Sequence, residues 1–209
     1  MAGQITELKL QKRNRNRVNV YVDGRFALGL PTIVAAGLRL GQHLSDPEIA
    51  ELEDKGTVEG AYNRALNYLS YRPRSKAEVV RYLEGRGVPD HQAEAVTGRL
   101  ETAGLLDDRA FAQYWVENRE QFRPKGPSAL RYELRNKGIS DDIIGETVEA
   151  VDPLASAYRA AGKKARQLSR LDPPTFRRKL VEYLARRGFS YDVAREVTER
   201  HWVELAADQ

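Results

Sequence analysis

The chain has 209 residues, of which 41% are hydrophobic and 31% charged, and its formal net charge is +4 at pH 7. It contains no cysteine, which excludes disulfides, cysteine-based zinc sites and cysteine nucleophiles and is typical of a reducing compartment. No stretch has the length and position of a membrane span or a signal peptide, so we expect a soluble, cytoplasmic protein.

The first thirty residues have the pattern of a β-hairpin. Valines alternate with other residues over 18–22, Asp23-Gly24 follows, and a second alternating run covers 26–30. This arrangement predicts a type I′ turn, because glycine tolerates positive φ and the turn matches the twist of the strands. A hairpin alone is marginally stable in water, so residues 5–10 are predicted to add a third strand.

The chain becomes helical after this segment. Ser45-Asp-Pro-Glu48 is a capping box with proline in the first helical turn. The residues from 45 to 55 include five acids and one base, and Gly56-Thr57 is predicted to end this helix. Residues 1–56 are therefore predicted to form an N-terminal β segment with a capping helix.

One short pattern then recurs three times: Leu, two variable residues, Lys or Arg, Gly and an apolar residue. The copies are Leu83-Glu-Gly-Arg-Gly-Val88, Leu134-Arg-Asn-Lys-Gly-Ile139 and Leu184-Ala-Arg-Arg-Gly-Phe189. Their glycines are 51 and 50 residues apart, as are Pro73, Pro124 and Pro174. A fixed period of this size predicts stacked supersecondary units. We predict a mainly α protein, a tandem, elongated and curved solenoid-like array of three-helix repeats at 57–105, 106–152 and 153–209.

Capping residues divide each repeat into three helices. The predicted helix starts lie at Val58, Ser75, Asp90, Asp107, Pro127, Ser140, Asp152, Asp172 and Ser190. The glycine after each middle helix is expected to have positive φ. The base before it suits the negative end of the helix dipole, which is a structural explanation for Arg86, Lys137 and Arg187; a role in binding is the alternative.

Basic residues are concentrated in three segments. The net charge is +4 over 11–25, +4 over 119–137 and +8 over 159–187. Such segments attract polyanions, although solvated helix faces show the same composition. In addition, Arg72-Pro-Arg-Ser75 and Arg123-Pro-Lys-Gly-Pro127 precede two middle helices, where bases beside free N–H groups predict an anion site. A rigid, positively flanked connector is the alternative, and the third repeat has Leu171-Asp-Pro-Pro174 instead.

Sequence motifs for catalysis are few. The three histidines, His43, His91 and His201, are far apart, and there is no P-loop. Asp107-Asp108 resembles a Mg²⁺-binding pair, but a helix cap explains it better. Three aromatic residues beside bases, Tyr114, Trp115 and Phe122, offer stacking for nucleic acid. The helical spacing of Phe111, Tyr114 and Trp115 favours a core role instead. No helix carries the residues of a sequence-specific base reader.

Taken in order, several of these stretches resemble the RecX family of bacterial regulators of the RecA recombinase. They are Ala65-Leu-Asn-Tyr-Leu-Ser-Tyr-Arg-Pro-Arg-Ser75 with Glu78, Leu100 through Gly104-Leu-Leu-Asp-Asp-Arg-Ala-Phe-Ala112, Lys125-Gly-Pro127 and Glu133-Leu-Arg-Asn-Lys-Gly138. The resemblance is dense over 62–151 and looser beyond. It implies a regulator without catalytic activity or cofactor that binds the RecA nucleoprotein filament. It would inhibit ATP hydrolysis, strand exchange, filament extension and the filament-dependent cleavage of LexA.

The candidate contact residues are the bases of the charged segments and connectors. They are Arg72, Arg74, Arg123, Lys125, Arg131, Arg135, Lys137, Lys163, Lys164, Arg166, Arg177, Arg178 and Lys179, with Arg13, Arg15 and Arg17 at the N-terminus. The expected partners are the RecA filament and, more weakly, single- and double-stranded DNA, with the protein itself a monomer. The alternatives are an autonomous DNA- or RNA-binding protein and a Mg²⁺ nuclease using Asp107 and Asp108.

Overall fold

The computed structural model describes residues 2–207, which form ten helices and one small sheet. Residue 1 of the predicted segment 1–56 and residues 208 and 209 of the predicted segment 153–209 lie outside this range. The chain divides into two compact bodies, the first containing 2–72 and 79–106 and the second 73–78 and 107–207. The predicted division into four segments remains a prediction.

The first body begins with an antiparallel sheet. Its strands are β1 (Gly3–Gln11), β2 (Asn14–Val22), β3 (Arg25–Pro31) and β4 (His43–Leu44), in the order β3-β2-β1-β4. Asp23 and Gly24 have φ of +46° and +77°, so the predicted turn with two positive φ values is confirmed. The third strand is also confirmed, whereas β4 carries no alternation that sequence reasoning detects.

One face of the sheet forms a hydrophobic core. Val18, Val20 and Val22 are buried with Ile5 and Leu30, as period-2 alternation requires. The short helix α1 (Thr32–Ala35) and the long helix α2 (Asp46–Leu69) cover this face. The two helices thus bury the apolar face that an isolated hairpin would leave exposed to water.

Helix α2 corrects one prediction. Its capping box is present, with the Ser45 N–H donating to Glu48 Oε2 over 2.7 Å. However, α2 continues through Gly56 and Thr57 instead of ending there. Gly56 is buried, and a Cβ at this position would lie 2.8 Å from Leu30 Cδ2. The glycine therefore permits close packing of helix on sheet, and the helix tolerates it because packing outweighs its low propensity.

Three groups of three helices follow, each with its own core. Repeat 1 consists of the second half of α2, α3 (Lys76–Glu84) and α4 (Asp90–Thr102). Repeat 2 consists of α5 (Asp108–Phe122), α6 (Pro127–Asn136) and α7 (Asp141–Glu149). Repeat 3 consists of α8 (Pro153–Leu168), α9 (Pro173–Arg186) and α10 (Tyr191–Ala207). The prediction of a mainly helical chain of three-helix repeats behind an N-terminal sheet is confirmed.

The middle helices, α3, α6 and α9, end in the same way. Gly87, Gly138 and Gly188 have φ of +75°, +78° and +87°, as predicted. The next N–H donates to the leucine carbonyl five residues earlier, for example Val88 to Leu83 over 3.2 Å. This is the Schellman arrangement, and the repeated Leu-x-x-basic-Gly-apolar pattern encodes it.

Candidate partner and nucleic-acid interface

The predicted anion site before α3 is occupied by the protein itself. The Ser75 hydroxyl donates to the Lys137 carbonyl oxygen over 2.6 Å, and the Lys76 N–H donates to Asp108 Oδ1 over 2.8 Å. A Cβ on Gly138 would lie 2.3 Å from the Ala77 Cβ. The first turn of α3 thus packs on the C-terminal loop of α6, in a contact that we call the first joint.

The N-terminus of α6 makes an equivalent contact, the second joint, with the C-terminal loop of α9. The Gly126 N–H donates to the Arg187 carbonyl over 2.9 Å, and the Ser128 hydroxyl donates to the Gly188 carbonyl over 2.8 Å. A Cβ on Gly188 would lie 2.5 Å from both the N and the Cβ of Ala129. The prediction of open N-terminal N–H groups is therefore wrong at α3, where Asp108 and the Ser75 hydroxyl accept from the N–H groups of Lys76 and Glu78. At α6 the Arg187 carbonyl accepts from the N–H of the N-cap residue, Gly126.

Lys125 belongs to a network around Glu133. Trp115 Nε1 and Arg119 Nε each donate to Glu133 Oε2 over 2.8 Å, while Lys125 Nζ donates to Oε1. The Glu133 side chain is only 16% exposed. Burial alone would raise the pKa of Glu133, but the hydrogen bonds from Lys125, Arg119 and Trp115 together lower it below its ordinary value. Glu133 is therefore a structural centre that sequence reasoning missed.

The three bases that precede the middle-helix glycines each lie against an aromatic ring. Lys137 Nζ is 4.8 Å from the Trp115 ring centre and donates to Glu78 Oε1 over 2.7 Å. Arg86 lies 3.9 Å above the Tyr82 ring, and Arg187 donates to the hydroxyl of Tyr183 over 2.7 Å. The tyrosines precede their arginines by four residues, a spacing in the sequence that indicates this stacking.

Several other candidate bases also have partners inside the protein. Arg135 pairs with Asp141 at 2.8 Å, Arg177 with Glu199 at 2.7 Å and Arg178 with Glu182 at 3.1 Å. The hydrogen bond with Glu199 raises the pKa of Arg177. Three further candidates, Arg17, Arg72 and Arg74, are half-buried, and the Arg17 guanidinium donates to the Gly29 carbonyl over 2.6 Å.

A subset of the candidates has no ion-pair partner among residues 2–207. The exposed members are Arg13, Arg15, Arg123, Lys163, Arg166 and Lys179, and the half-buried members are Arg131 and Lys164. We call these eight residues the unpaired cations. Lys163 and Arg166 are three positions apart on α8, so they share one face of that helix. Their positive charge is available to an anion from outside.

The aromatic residues of α5 divide between core and surface. Phe111 is buried and Trp115 half-buried, which confirms the core interpretation for these two positions. Tyr114 is 42% exposed, so the core interpretation is wrong for it, and Phe122, which stands outside that spacing, is 68% exposed. They lie off the apolar stripe of α5, because only one face of a helix meets the core.

Asp107 and Asp108 both serve as caps. Asp107 accepts hydrogen bonds from the N–H groups of Arg109 at 2.8 Å and Ala110 at 3.0 Å, and Asp108 accepts from the first N–H of α3 as described above. The cap interpretation of Asp107 is confirmed. Within the part of the chain that the structure describes, no three His, Cys, Asp or Glu side chains converge on a position for a metal ion.

We expect the variant Asp107→Ala to lower the free energy of unfolding by about 1 kcal/mol, because two N–H groups of α5 lose their acceptor. Thermal unfolding followed by circular dichroism measures the loss. Asp142→Ala removes an exposed carboxylate from the first turn of α7 that accepts no hydrogen bond in the described structure. It should cost less, and equal losses in the two variants would contradict a capping role for Asp107.

Models of four protein domains match the chain. They are the "Regulatory protein RecX N-terminal domain" at residues 3–45 and the first, second and third three-helix domains of RecX at 61–100, 107–148 and 150–198. None of the helices within 2–207 combines the length and apolar character that crossing a bilayer requires.

Individual relatives and solved structures agree with the domain matches. "Regulatory protein RecX" of Bacillus licheniformis is 34% identical, over 90% of this chain and 74% of that protein. The protein of the same description from Lactobacillus delbrueckii subsp. bulgaricus is 32% identical, over 98% of this chain and 77% of its own length. A crystal structure of regulatory protein RecX superposes with a TM-score of 0.77 at 27% identity, covering 95% of this chain and 100% of that one. RecX from Lactobacillus salivarius superposes with a TM-score of 0.64 at 25% identity, over 70% and 97% of the two chains.

Proposed function

Because this chain belongs to the RecX family of regulatory proteins, we propose that it binds the RecA nucleoprotein filament and inhibits it. The affected activities are ATP hydrolysis, strand exchange, filament extension and the coprotease function of the SOS response. The protein acts by binding and needs neither a cofactor nor a catalytic residue of its own.

The unpaired cations carry this proposal. A filament of recombinase on DNA presents phosphates and acidic protein surface, and a cation without an internal partner binds them without first breaking an ion pair. The α8 pair, Lys163 and Arg166, is the clearest example, since its two charges face the same way. Bases that are paired with Glu133, Glu78 or Glu199 stabilise the fold and contribute less to binding of the partner.

The double substitution Lys163→Gln and Arg166→Gln tests the proposal. We expect the unaltered chain, at equimolar ratio to RecA, to suppress ATP hydrolysis that depends on single-stranded DNA, and the double variant to bind the filament about tenfold more weakly. If each cation contacts one phosphate, the dependence of log affinity on log salt also becomes shallower by about two. Fluorescence anisotropy across a salt series measures both quantities.

The control removes the same charge from another helix. Arg195 and Arg200 are exposed on α10 beside Glu196, Glu199 and Glu204, so their neutralisation should leave filament binding within about twofold. An unaltered chain without effect on RecA would reject the proposed function. Tight binding of bare DNA or RNA, equal with and without recombinase, would favour an autonomous nucleic-acid-binding protein, the second candidate that the unpaired cations support.

A further inference from the structure

The C-terminal loops of α6 and α9 act as sockets for a helix N-terminus. In each socket a glycine of positive φ meets the Cβ of an alanine, Ala77 at Gly138 and Ala129 at Gly188. A serine hydroxyl from the inserted turn donates to a carbonyl of the socket. In the first joint the base of the socket, Lys137, also pairs with Glu78 of the inserted helix. Both sockets thus accept small residues and a hydroxyl, and the first also accepts an acid.

The equivalent loop of α3 is empty. Gly87 has the same backbone conformation as Gly138 and Gly188, but, apart from the glycine and its two chain neighbours, no atom of the described residues lies within 4 Å of a Cβ placed on it. Arg86 and Gly87 are both exposed, and Arg86 has no ion-pair partner within 2–207. Its guanidinium lies on Tyr82, whose ring stacks on Tyr68 at 3.9 Å. The socket is therefore preformed, with a charged and aromatic wall.

A second copy of this chain does not offer the matching turn through repeat 3. The first turn of α9 is Pro173-Pro174-Thr175-Phe176, so it has no glycine, alanine or serine of the kind that approaches a socket glycine in the two joints. The side chain of Asp172 caps the first turn of α9 by accepting from the Thr175 N–H over 3.1 Å. The N-terminal turn of α9 in a second copy is therefore a poor match, and we place the occupant of the α3 socket on another protein.

We propose that the loop at Arg86 and Gly87 receives the N-terminal turn of an α-helix of the recombinase partner. That turn places Gly, Ser or Ala against Gly87, donates a hydroxyl to a loop carbonyl and brings an acidic side chain to Arg86, as Glu78 does to Lys137. The partial charges of the two helix ends attract, because N–H groups meet unpaired carbonyls. This inference rests on the proposed function, since it assigns the docking partner.

Gly87→Asn is the test, because asparagine tolerates positive φ but fills the socket. Gly104→Asn is its control: Gly104 follows α4 with φ of +67° and has equally open surroundings, so it matches the backbone strain without touching the socket. We expect Gly87→Asn to weaken binding to a RecA filament on single-stranded DNA at least about tenfold, and Gly104→Asn to change it less than about twofold. Anisotropy titration measures binding, and thermal unfolding verifies that both variants fold.

A charge reversal gives a second measurement that involves no glycine. Arg86→Glu should repel the acid of the partner and weaken filament binding, whereas Arg195→Glu, the same change at an exposed position of α10, should not. Normal filament binding by both Gly87→Asn and Arg86→Glu would overturn the inference and leave the proposed function standing. Absence of binding by the unaltered chain would reject both. Loss of self-association in these variants, seen by sedimentation, would also overturn it by identifying a second copy as the occupant.

Discussion

Replacement of Gly126 by alanine is expected to lower the free energy of unfolding by about 3 kcal/mol, the upper range for an overpacked contact. The added Cβ would lie 2.1 Å from the Gly188 carbonyl oxygen and 2.4 Å from the Phe189 nitrogen. These are backbone atoms, so no rotamer change relieves the clash. The φ of Gly126 is −73°, which suits alanine, and the loss therefore reports the second joint and not backbone strain.

Gly162→Ala is the matched control. Gly162 lies inside α8, and a Cβ there would meet no atom within 4 Å. The same chemical change should therefore stabilise the protein by about 0.5–1 kcal/mol, because alanine has the higher helix propensity. Urea unfolding followed by circular dichroism measures both variants. Equal midpoints for Gly126→Ala and the unaltered chain would mean that the joint is absent in solution.

The second large effect is expected at Glu133. Glu133→Gln preserves the shape of the side chain but removes the charge that Arg119, Lys125 and Trp115 share. The two half-buried cations, Arg119 and Lys125, then lose their counterion. The NH₂ group of the glutamine amide also faces N–H donors where the carboxylate had offered an acceptor. We expect a loss of about 2 kcal/mol at pH 7, less than for a fully buried pair, because Lys125 is 31% exposed.

The pH dependence distinguishes this charge effect from a packing defect. The folded-state pKa of Glu133 lies below its ordinary value of 4.5. Its ionised form therefore stabilises the protein at pH values above the ordinary pKa of a glutamate. This stabilisation disappears as the pH falls through the lowered pKa. The difference between Glu133→Gln and the unaltered chain should shrink toward zero in acid, whereas a packing defect would persist.

Glu149→Gln is the control for this prediction. Glu149 is exposed at the end of α7 and has no ion-pair partner within the described residues, so its neutralisation should change stability by less than about 0.5 kcal/mol at any pH. A constant loss for Glu133→Gln between pH 7 and pH 3 would contradict the charge network.

These two predictions affect how substitutions of bases are interpreted. Replacement of Lys125 or Lys137 breaks a contact to Glu133 or Glu78, so weaker partner binding by such a variant can arise from lost stability. Replacement of Lys163 or Arg166 breaks no ion pair in the described structure. The α8 pair is therefore the better probe of the interface, and each variant should be compared at equal fractions of folded protein.

Much of the fold is predictable because its signals are local. The Asp23-Gly24 turn, the Ser45 and Asp107 caps and the glycines after the middle helices depend on φ and on hydrogen bonds between residues a few positions apart. Gly56 shows the limit of such reasoning. A glycine that breaks a helix and one that admits a neighbouring strand look alike in sequence, and only the contact with Leu30 separates them.

The sequence by itself determined the repeat, its period, the helix ends, the N-terminal hairpin and the excess of bases in three segments. Only the tertiary structure decided which of those bases are available to a partner. Lys137 meets Glu78 across 59 residues and Ser75 meets the Lys137 carbonyl across 62, distances along the chain at which composition carries no information about pairing. Propensities and caps act within one turn of helix, whereas the desolvation and pairing of a charge depend on every side chain that the fold brings against it.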